Sequence, residues 1–227
     1  MGDKLDEVAE TLRRISPARP YGEKKWEIVQ AAAGLFIKKG SINTGVRDIA
    51  EASGITVGTL YHYFKSKDDI IAAFMDVAVD ATNEFVKAVD GVLQELGSGD
   101  ALRLAMQRYF EFVTDMQNIV LFWHQETRNL KPELRKVLLE NELVLIGLFE
   151  RIIGRGIEAG VFRDVDERIL AHDIIVLGDM WAFRRWDLGK NYAPAMFIEK
   201  QTNLILFSLC GESREKVKKS REVKAGQ

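Results

Sequence analysis

Three adjoining segments decide the fold of this chain: Thr44-Gly-Val-Arg-Asp-Ile-Ala50, Gly54-Ile-Thr-Val-Gly-Thr-Leu-Tyr-His-Tyr-Phe64 and Lys65-Ser-Lys-Asp-Asp-Ile70. Thr44 and Thr56 each precede a short apolar-periodic run, where a hydroxyl can accept a hydrogen bond from the free N–H groups of a first helical turn. A Ser-Gly turn separates the two runs. Two short helices joined in this way and followed by a longer helix predict a helix-turn-helix motif.

The chain around this motif has the apolar periodicity of α-helices. Ser66 starts a long fourth helix, because the two acids that follow it interact favourably with the helix dipole. Apolar residues at spacings of three and four, with Asp100 and Asp166 as caps, predict further helices over 4–15, 22–39, 100–113, 119–128, 132–158, 166–188 and 194–211. Strand alternation is absent from the sequence, so the predicted fold is all-α with about nine or ten helices.

Charge is unevenly distributed along the sequence. The 227 residues carry 32 Lys+Arg and 34 Asp+Glu, and the net charge of −2 excludes a protein that binds nucleic acid by bulk charge. Between Arg13 and Lys67, ten basic residues accompany four acids, a balance of +6 that leaves −8 for the remainder. A basic segment on an acidic chain suggests contact with a polyanion, and the alternative is a solvated basic face.

The composition predicts a cytoplasmic protein. The single cysteine, Cys210, excludes an intramolecular disulfide and fits a reducing compartment. We interpret it as a packing residue of an apolar helix. The polar N-terminus carries no secretory signal, and no uncharged apolar run reaches about 18 residues, so no membrane span is expected.

The three opening segments resemble the signature of TetR-type (TetR/AcrR family) transcriptional regulators, over about residues 24–74. Gly45 departs from the family pattern, which often has a hydroxyl residue there. The resemblance implies an all-helical homodimer that binds a palindromic double-stranded DNA operator and represses transcription without a cofactor. It also implies an N-terminal arm or short helix over 1–20, a three-helix DNA-binding domain over 21–68 and a larger helical ligand-binding and dimerisation domain over 69–227.

The candidate DNA contacts lie in and around the second helix of the motif, which enters the major groove with its amino end first. Its small first residues allow the helix to come close to the edge of the groove, and the longer side chains after them can reach the DNA. By resemblance, the phosphate contacts are Thr44, Arg47, Tyr63 and Lys67, and the residues at or beside the bases are Thr56, Val57, Gly58, Thr59, Tyr61 and His62. Leu60 and Phe64 are expected in the core. A core position is also the alternative for the two tyrosines.

The C-terminal two-thirds carries three of the four tryptophans and several phenylalanines, and a core of this kind can enclose an apolar cavity. Arg184 and Arg185 lie among aromatic residues, where a buried cation needs an anionic partner. The candidate ligand contacts are Phe110, Trp123, Trp181 and Arg184. The alternatives are plain core packing for the aromatics and a salt bridge or solvent exposure for the arginines. The segment 178–186 is similar to family members that respond to acyl-CoA thioesters, which implies a small hydrophobic or amphipathic effector.

Catalytic and metal sites are not expected. The three histidines are far apart and lack a His-x₃-His spacing. No Ser/His/Asp order, Gly-rich phosphate loop or paired carboxylates stand out, so the sequence offers no catalytic residue and no sign of an enzyme.

Two rival interpretations make distinct predictions. A helical enzyme or ligand carrier in which the helix-turn-helix is only structural would not expose Tyr61 and Lys67. An activator or architectural DNA binder without an effector would have no sizeable cavity. For the dimer, the last two helices are expected to expose Ile174, Ile175, Leu177, Leu204, Ile205 and Phe207.

Overall fold

The computed structural model describes residues 22–93 and 95–210, and these ranges contain nine α-helices and no strand. The helices are α1 (Glu23–Lys39), α2 (Val46–Ala52), α3 (Val57–Tyr63), α4 (Lys67–Leu93), α5 (Ser98–Asp115), α6 (Gln117–Glu126), α7 (Pro132–Glu158), α8 (Glu167–Asn191) and α9 (Pro194–Cys210). The all-α prediction is confirmed. The predicted helix 4–15 and the charged tail from Glu212 lie outside the described residues.

The described residues form two compact units. The first unit ends at Lys87 and resumes over Asp115–Val144. The second comprises Ala88–Thr114 and the described residues from Leu145 onward. The long helices α4 and α7 therefore contribute residues to both units. Among the described helices, none combines the length and the apolar character that a membrane span requires.

Aromatic side chains form the core of the first unit. Phe36 of α1 and Phe74 of α4 are fully buried, and Phe122 of α6 lies 6.1 Å and 5.6 Å from them between ring centroids. Trp123 lies 5.0 Å from Phe74. Each buried ring of this size contributes about 1.5–3 kcal/mol through the apolar area it removes from water. This contact set joins α1, α4 and α6, and α1 in turn carries the helix-turn-helix.

The second unit has its own aromatic core, drawn from α5, α7, α8 and α9. Tyr109 packs edge-to-face on Phe149 at 5.6 Å, and Phe197 lies 5.2 Å from Trp181. A close helix approach occurs at Gly178 of α8, where a Cβ would lie 2.6 Å from a ring carbon of Tyr109. Only glycine fits this approach without displacing the ring.

The helix starts agree with the sequence at three predicted caps. Thr56 accepts a hydrogen bond from the Thr59 N–H and Asp166 from the Ile169 N–H. At the start of α4, the Asp69 N–H donates to the Ser66 hydroxyl and the Ser66 N–H donates to the Asp69 carboxylate. This reciprocal capping box satisfies two otherwise free donors.

Three boundary predictions were wrong, each for a local reason. The N-cap of α2 is Gly45, because the Thr44 hydroxyl donates backwards to the Gly40 carbonyl. The start of α5 is Ser98 and not after Asp100, because the Gly97 carbonyl already accepts from the Ala101 N–H. The predicted loop 189–194 shrinks to two residues, since α8 continues through Asn191 and Pro194 begins α9, where its missing N–H is not needed. The interpretation of Cys210 as a packing residue was also wrong, because its side chain is exposed.

Candidate nucleic-acid interface

The second and third helices meet through a short turn and a small apolar contact. Gly54 adopts a φ of +65°, a left-handed conformation that glycine takes without steric cost. The Ile55 N–H donates to the Ala50 carbonyl at 3.0 Å, which closes the turn on the end of α2. Ile49 of α2 and Leu60 of α3 are buried, so α3 packs on α2 through its inner face. The outer face of α3 is left to solvent.

The first turn of α3 presents small side chains and an open backbone. Thr56, Gly58 and Thr59 are exposed, and Val57 is half-buried. The hydroxyls of Thr56 and Thr59 lie 2.9 Å apart and hydrogen-bond to each other. A Cβ at Gly58 would meet nothing closer than the Thr56 hydroxyl at 3.8 Å, so glycine is not needed there for packing. A surface of this shape lets a backbone come close to an external partner.

The aromatic residues of α3 separate into core and surface. Leu60 and Phe64 are buried, as predicted. Tyr61 is 50% exposed, His62 is exposed, and Tyr63 is half-buried with its ring edge-to-face against His62 at 5.6 Å. The exposure of Tyr61 contradicts the core alternative for this residue.

The predicted phosphate contacts differ from one another in accessibility. Arg47 is exposed and forms no hydrogen bond or ion pair with the described residues. Thr44 is 0% exposed and its hydroxyl is engaged with Gly40, so its side chain cannot contact a phosphate and that prediction was wrong. The Lys67 ammonium donates to the carbonyls of Ser41 at 2.7 Å and Thr44 at 3.2 Å. It is therefore engaged within the first unit and is not a free surface cation.

An ion pair lies at the start of α2. Lys39 Nζ is 2.6 Å from Asp48 Oδ2, and the Gly45 N–H donates to the same oxygen at 2.8 Å. The Lys39 hydrogen bond first, and the Gly45 N–H second, hold the pKa of Asp48 below its ordinary value. Lys39 is thereby neutralised locally, whereas Arg47 on α2 and Lys65, two residues after α3, are exposed and have no hydrogen-bond or ion-pair partner among the described residues.

The candidate ligand contacts do not assemble into one described site. Phe110 and Trp181 belong to the second unit and both approach Phe197, at 6.3 Å and 5.2 Å. Trp123 belongs to the first unit. Arg184 and Arg185 are both exposed and form no hydrogen bond or ion pair with the described residues, so the interpretation of Arg184 as a pocket residue is not supported in the single chain.

Sequence reasoning missed two buried carboxylates. Asp179 of α8 accepts a hydrogen bond from the Tyr109 hydroxyl at 3.3 Å within the aromatic core of the second unit. Glu126 of α6 accepts from the N–H of Ser41 at 3.2 Å and also from its hydroxyl. These partners are 70 and 85 positions apart, so no local spacing signals either contact.

A row of large apolar side chains remains exposed on α8 and α9. Three residues predicted for this surface, Ile174, Ile175 and Ile205, are instead buried within the chain. The exposed members are Ile169, Val176, Phe183, Trp186, Met196, Leu204 and Phe207. Large apolar side chains exposed in this number on two helices are typical of protein–protein contact.

The exposed amino end of α3, packed on α2 in a helix-turn-helix, is typical of a DNA-binding protein. Two family models match the chain: bacterial regulatory proteins of the tetR family over residues 28–74, and the tetracyclin repressor-like C-terminal domain over residues 95–186. The chain belongs to the TetR family and is a DNA-binding regulator of transcription.

Known relatives support this assignment along most of the chain. The HTH-type transcriptional regulator HbdR of Aromatoleum sp. (strain CIB) is 23% identical over 185 residues, 81% of this chain and 80% of that protein. The HTH-type transcriptional repressor KstR2 of Rhodococcus jostii (strain RHA1) is 29% identical over 169 residues, 72% and 79% of the two chains. The crystal structure of AibR in complex with isovaleryl coenzyme A and operator DNA has a TM-score of 0.70 at 21% identity, covering 82% of this chain and 100% of that one. At this identity the likeness to AibR shows the fold.

Proposed function

We propose that this chain is a homodimeric repressor that binds a palindromic operator and releases it when a small apolar or amphipathic effector binds. Residues 21–68 would act as the DNA-binding domain, and residues 69–227 would bind the effector and dimerise. The observation that carries the proposal is the exposed first turn of α3, whose helix core residues are buried while Thr56, Gly58, Thr59 and Tyr61 face solvent. Such a regulator acts on chromosomal DNA, in the cytoplasm of its cell.

The proposed DNA contacts are revised by the geometry. Arg47 and Tyr63 would hold phosphates, while Thr56–Thr59, Tyr61 and His62 would lie against the bases. Phosphate contacts fix the register of the helix and base contacts give the specificity. The carrier or enzyme alternative, in which α3 serves only for packing, predicts that neither Tyr61 nor Lys67 is exposed. The 50% exposure of Tyr61 disfavours it, whereas the half-buried and engaged Lys67 does not.

Dimerisation would use the apolar side chains that α8 and α9 leave exposed. A two-fold axis pairs the same surface on both copies and fixes the separation of two recognition helices. Operator palindromy would then mirror the symmetry of the protein.

The effector would bind in the helical C-terminal domain, and acyl-CoA thioesters are the first chemical class to test. Support comes from AibR, which was solved with isovaleryl coenzyme A, and from the apolar surroundings of Phe110 and Trp181. Effector and operator would each weaken the binding of the other by the same factor, since their coupling is reciprocal.

Selection of tight-binding duplexes from a randomised pool by the full chain tests the DNA half of the proposal. We expect a palindromic consensus, and we expect Tyr61→Ala to lower the preference for it over a scrambled duplex without lowering the melting temperature. An equal affinity for selected and scrambled duplexes would refute the proposal. Acyl-CoA thioesters of increasing chain length, with free coenzyme A as the control, then test whether an effector releases the duplex.

A further inference from the structure

The segment 40–45, here called the Ser41 loop, joins α1 to α2 and is held by two charged side chains. Every polar group of Ser41 is engaged: its N–H and hydroxyl donate to Glu126, and its carbonyl accepts from Lys67. We propose that Glu126 and Lys67 are positioning residues for operator binding. They hold the Ser41 loop and thereby set the placement of α2 and α3, and Lys67 acts in this way and not by binding a phosphate. The inference rests on the proposed DNA-binding function.

Lys67 joins the two ends of the helix-turn-helix. It is the first residue of α4 and follows α3 by a short link, whereas Ser41 and Thr44 lie just before α2. Its ammonium donates to their carbonyls across 26 and 23 positions of sequence, at 2.7 Å and 3.2 Å. An ammonium group has three donors, so two of the three are used inside the protein. The segment between Ser41 and Lys67 contains α2, the turn and α3, and therefore all the proposed DNA contacts on these helices.

Glu126 anchors the same loop to α6. Its side chain belongs to a residue that is only 6% exposed, and a buried carboxylate is tolerated when its oxygens accept hydrogen bonds, as both do here from Ser41. The neighbouring Gly40 adopts a φ of +81°, and a Cβ there would lie 3.2 Å from Glu126 Oε1. The loop backbone thus lies against the carboxylate, so a change at Glu126 should move the start of α2.

For Glu126→Gln, an effect of charge and an effect of positioning would change operator affinity in opposite directions. Removing an acid near a DNA-binding surface raises affinity for a polyanion if only charge matters. Glu126→Gln removes the charge but also weakens the charge-assisted hydrogen bonds to Ser41. If positioning dominates, the same substitution lowers operator affinity.

The test measures the affinity of the full chain for its best selected duplex at several salt concentrations. Lys67→Gln and Glu126→Gln are compared with Lys65→Gln and Glu51→Gln, which remove the same charges from exposed side chains without a partner among the described residues. We expect Lys67→Gln and Glu126→Gln each to weaken operator binding about tenfold, the fold-change for losing one charge-assisted hydrogen bond. The slope of log affinity against log salt should be the same for Lys67→Gln as for the wild-type chain, and Glu51→Gln should bind at least as tightly as the wild-type chain.

Several results would overturn the inference. A lysine that binds a phosphate contributes about 0.9 to the slope of log affinity against log salt. A reduction of that size in the slope of Lys67→Gln relative to the wild-type chain would show a phosphate contact, and tighter binding by Glu126→Gln would show that charge dominates. If Glu126→Gln lowers the melting temperature so far that binding cannot be measured, Ser41→Ala decides, because unchanged affinity there excludes a role for the loop contact. A wild-type chain without a preferred duplex would instead refute the proposed function itself.

Discussion

Gly58→Ala separates the stability of α3 from its fit to DNA. Gly58 is the second residue of α3, is exposed, and would place a new Cβ no closer than 3.8 Å to any neighbouring atom. Alanine is preferred over glycine within a helix by up to about 1 kcal/mol, and less near a helix end. We therefore expect a gain of about 0.5 kcal/mol, which raises the melting temperature by about 1–2 °C for a chain of this length.

The same methyl group should weaken operator binding. If α3 enters the groove with its first turn, the Gly58 backbone lies where protein and base edges come closest, and a methyl there forces the helix outward. A loss of about 1.4 kcal/mol, or tenfold in affinity, is the expected scale when one base contact is lost. Calorimetric melting and fluorescence anisotropy on the selected duplex measure the two effects on one preparation.

Gly91→Ala is the matched control, because Gly91 is exposed on α4 and a Cβ added there would also have open space, with no neighbouring atom within 4 Å. It should gain stability and bind DNA as the wild-type chain does. Unchanged operator affinity in Gly58→Ala would refute the docking of α3 by its first turn. A lower melting temperature would refute the claim that Gly58 is free of packing demands.

Three further predictions concern packing, charge and assembly. Gly178→Ala should destabilise the chain by about 1–3 kcal/mol in urea unfolding, because the new Cβ overlaps a ring of α5; an unchanged midpoint would contradict that close approach. Lys39→Met should raise the pKa of Asp48 in an NMR titration, and an unchanged titration would contradict the ion pair. Because the folded-state pKa of Asp48 is lowered, this carboxylate stabilises the fold above its unfolded-state pKa. That stabilisation is lost as the pH falls through the lowered folded-state pKa. Phe207→Glu, on a side chain 72% exposed on α9, should yield monomers in sedimentation, whereas Leu139→Glu on α7 should leave the dimer intact; a dimeric Phe207→Glu protein would contradict the proposed interface.

The helix-turn-helix could be predicted from the sequence because its signals are local. Thr56 and Ser66 cap helices within three residues of themselves, and Gly54 sets a turn by its own backbone conformation. Leu60 and Phe64 follow the periodicity of one helix and lie in the core as expected. Each of these features depends on neighbours in the chain.

The failed site predictions depend on burial and contacts in the folded chain that the residue type alone does not show. Thr44 has the right residue type for a phosphate contact, but the packing of the Ser41 loop buries it. Lys67 looks like a surface cation until its partners 23 and 26 positions away are known. Aromatic residues next to Arg184 in the sequence suggested a pocket. Successive residues of a helix point in different directions, however, and Arg184 is exposed whereas Trp181 is buried.

Fewer of the ten basic residues between Arg13 and Lys67 are free to contact DNA than the sequence count suggests. Lys24 is paired with Glu27 and Lys39 with Asp48, and Lys67 is engaged with backbone carbonyls. A single helix-turn-helix with few free cations among its described residues releases few counterions from DNA and should bind weakly. In the proposed homodimer, specific occupancy would come from shape at the first turn of α3 and from the two linked copies, because the second recognition helix binds at a high effective concentration once the first is bound. For that reason the apolar surface of α8 and α9 bears on operator recognition as directly as α3 does, and a variant that prevents dimerisation should lose specific binding even with every DNA-contacting residue intact.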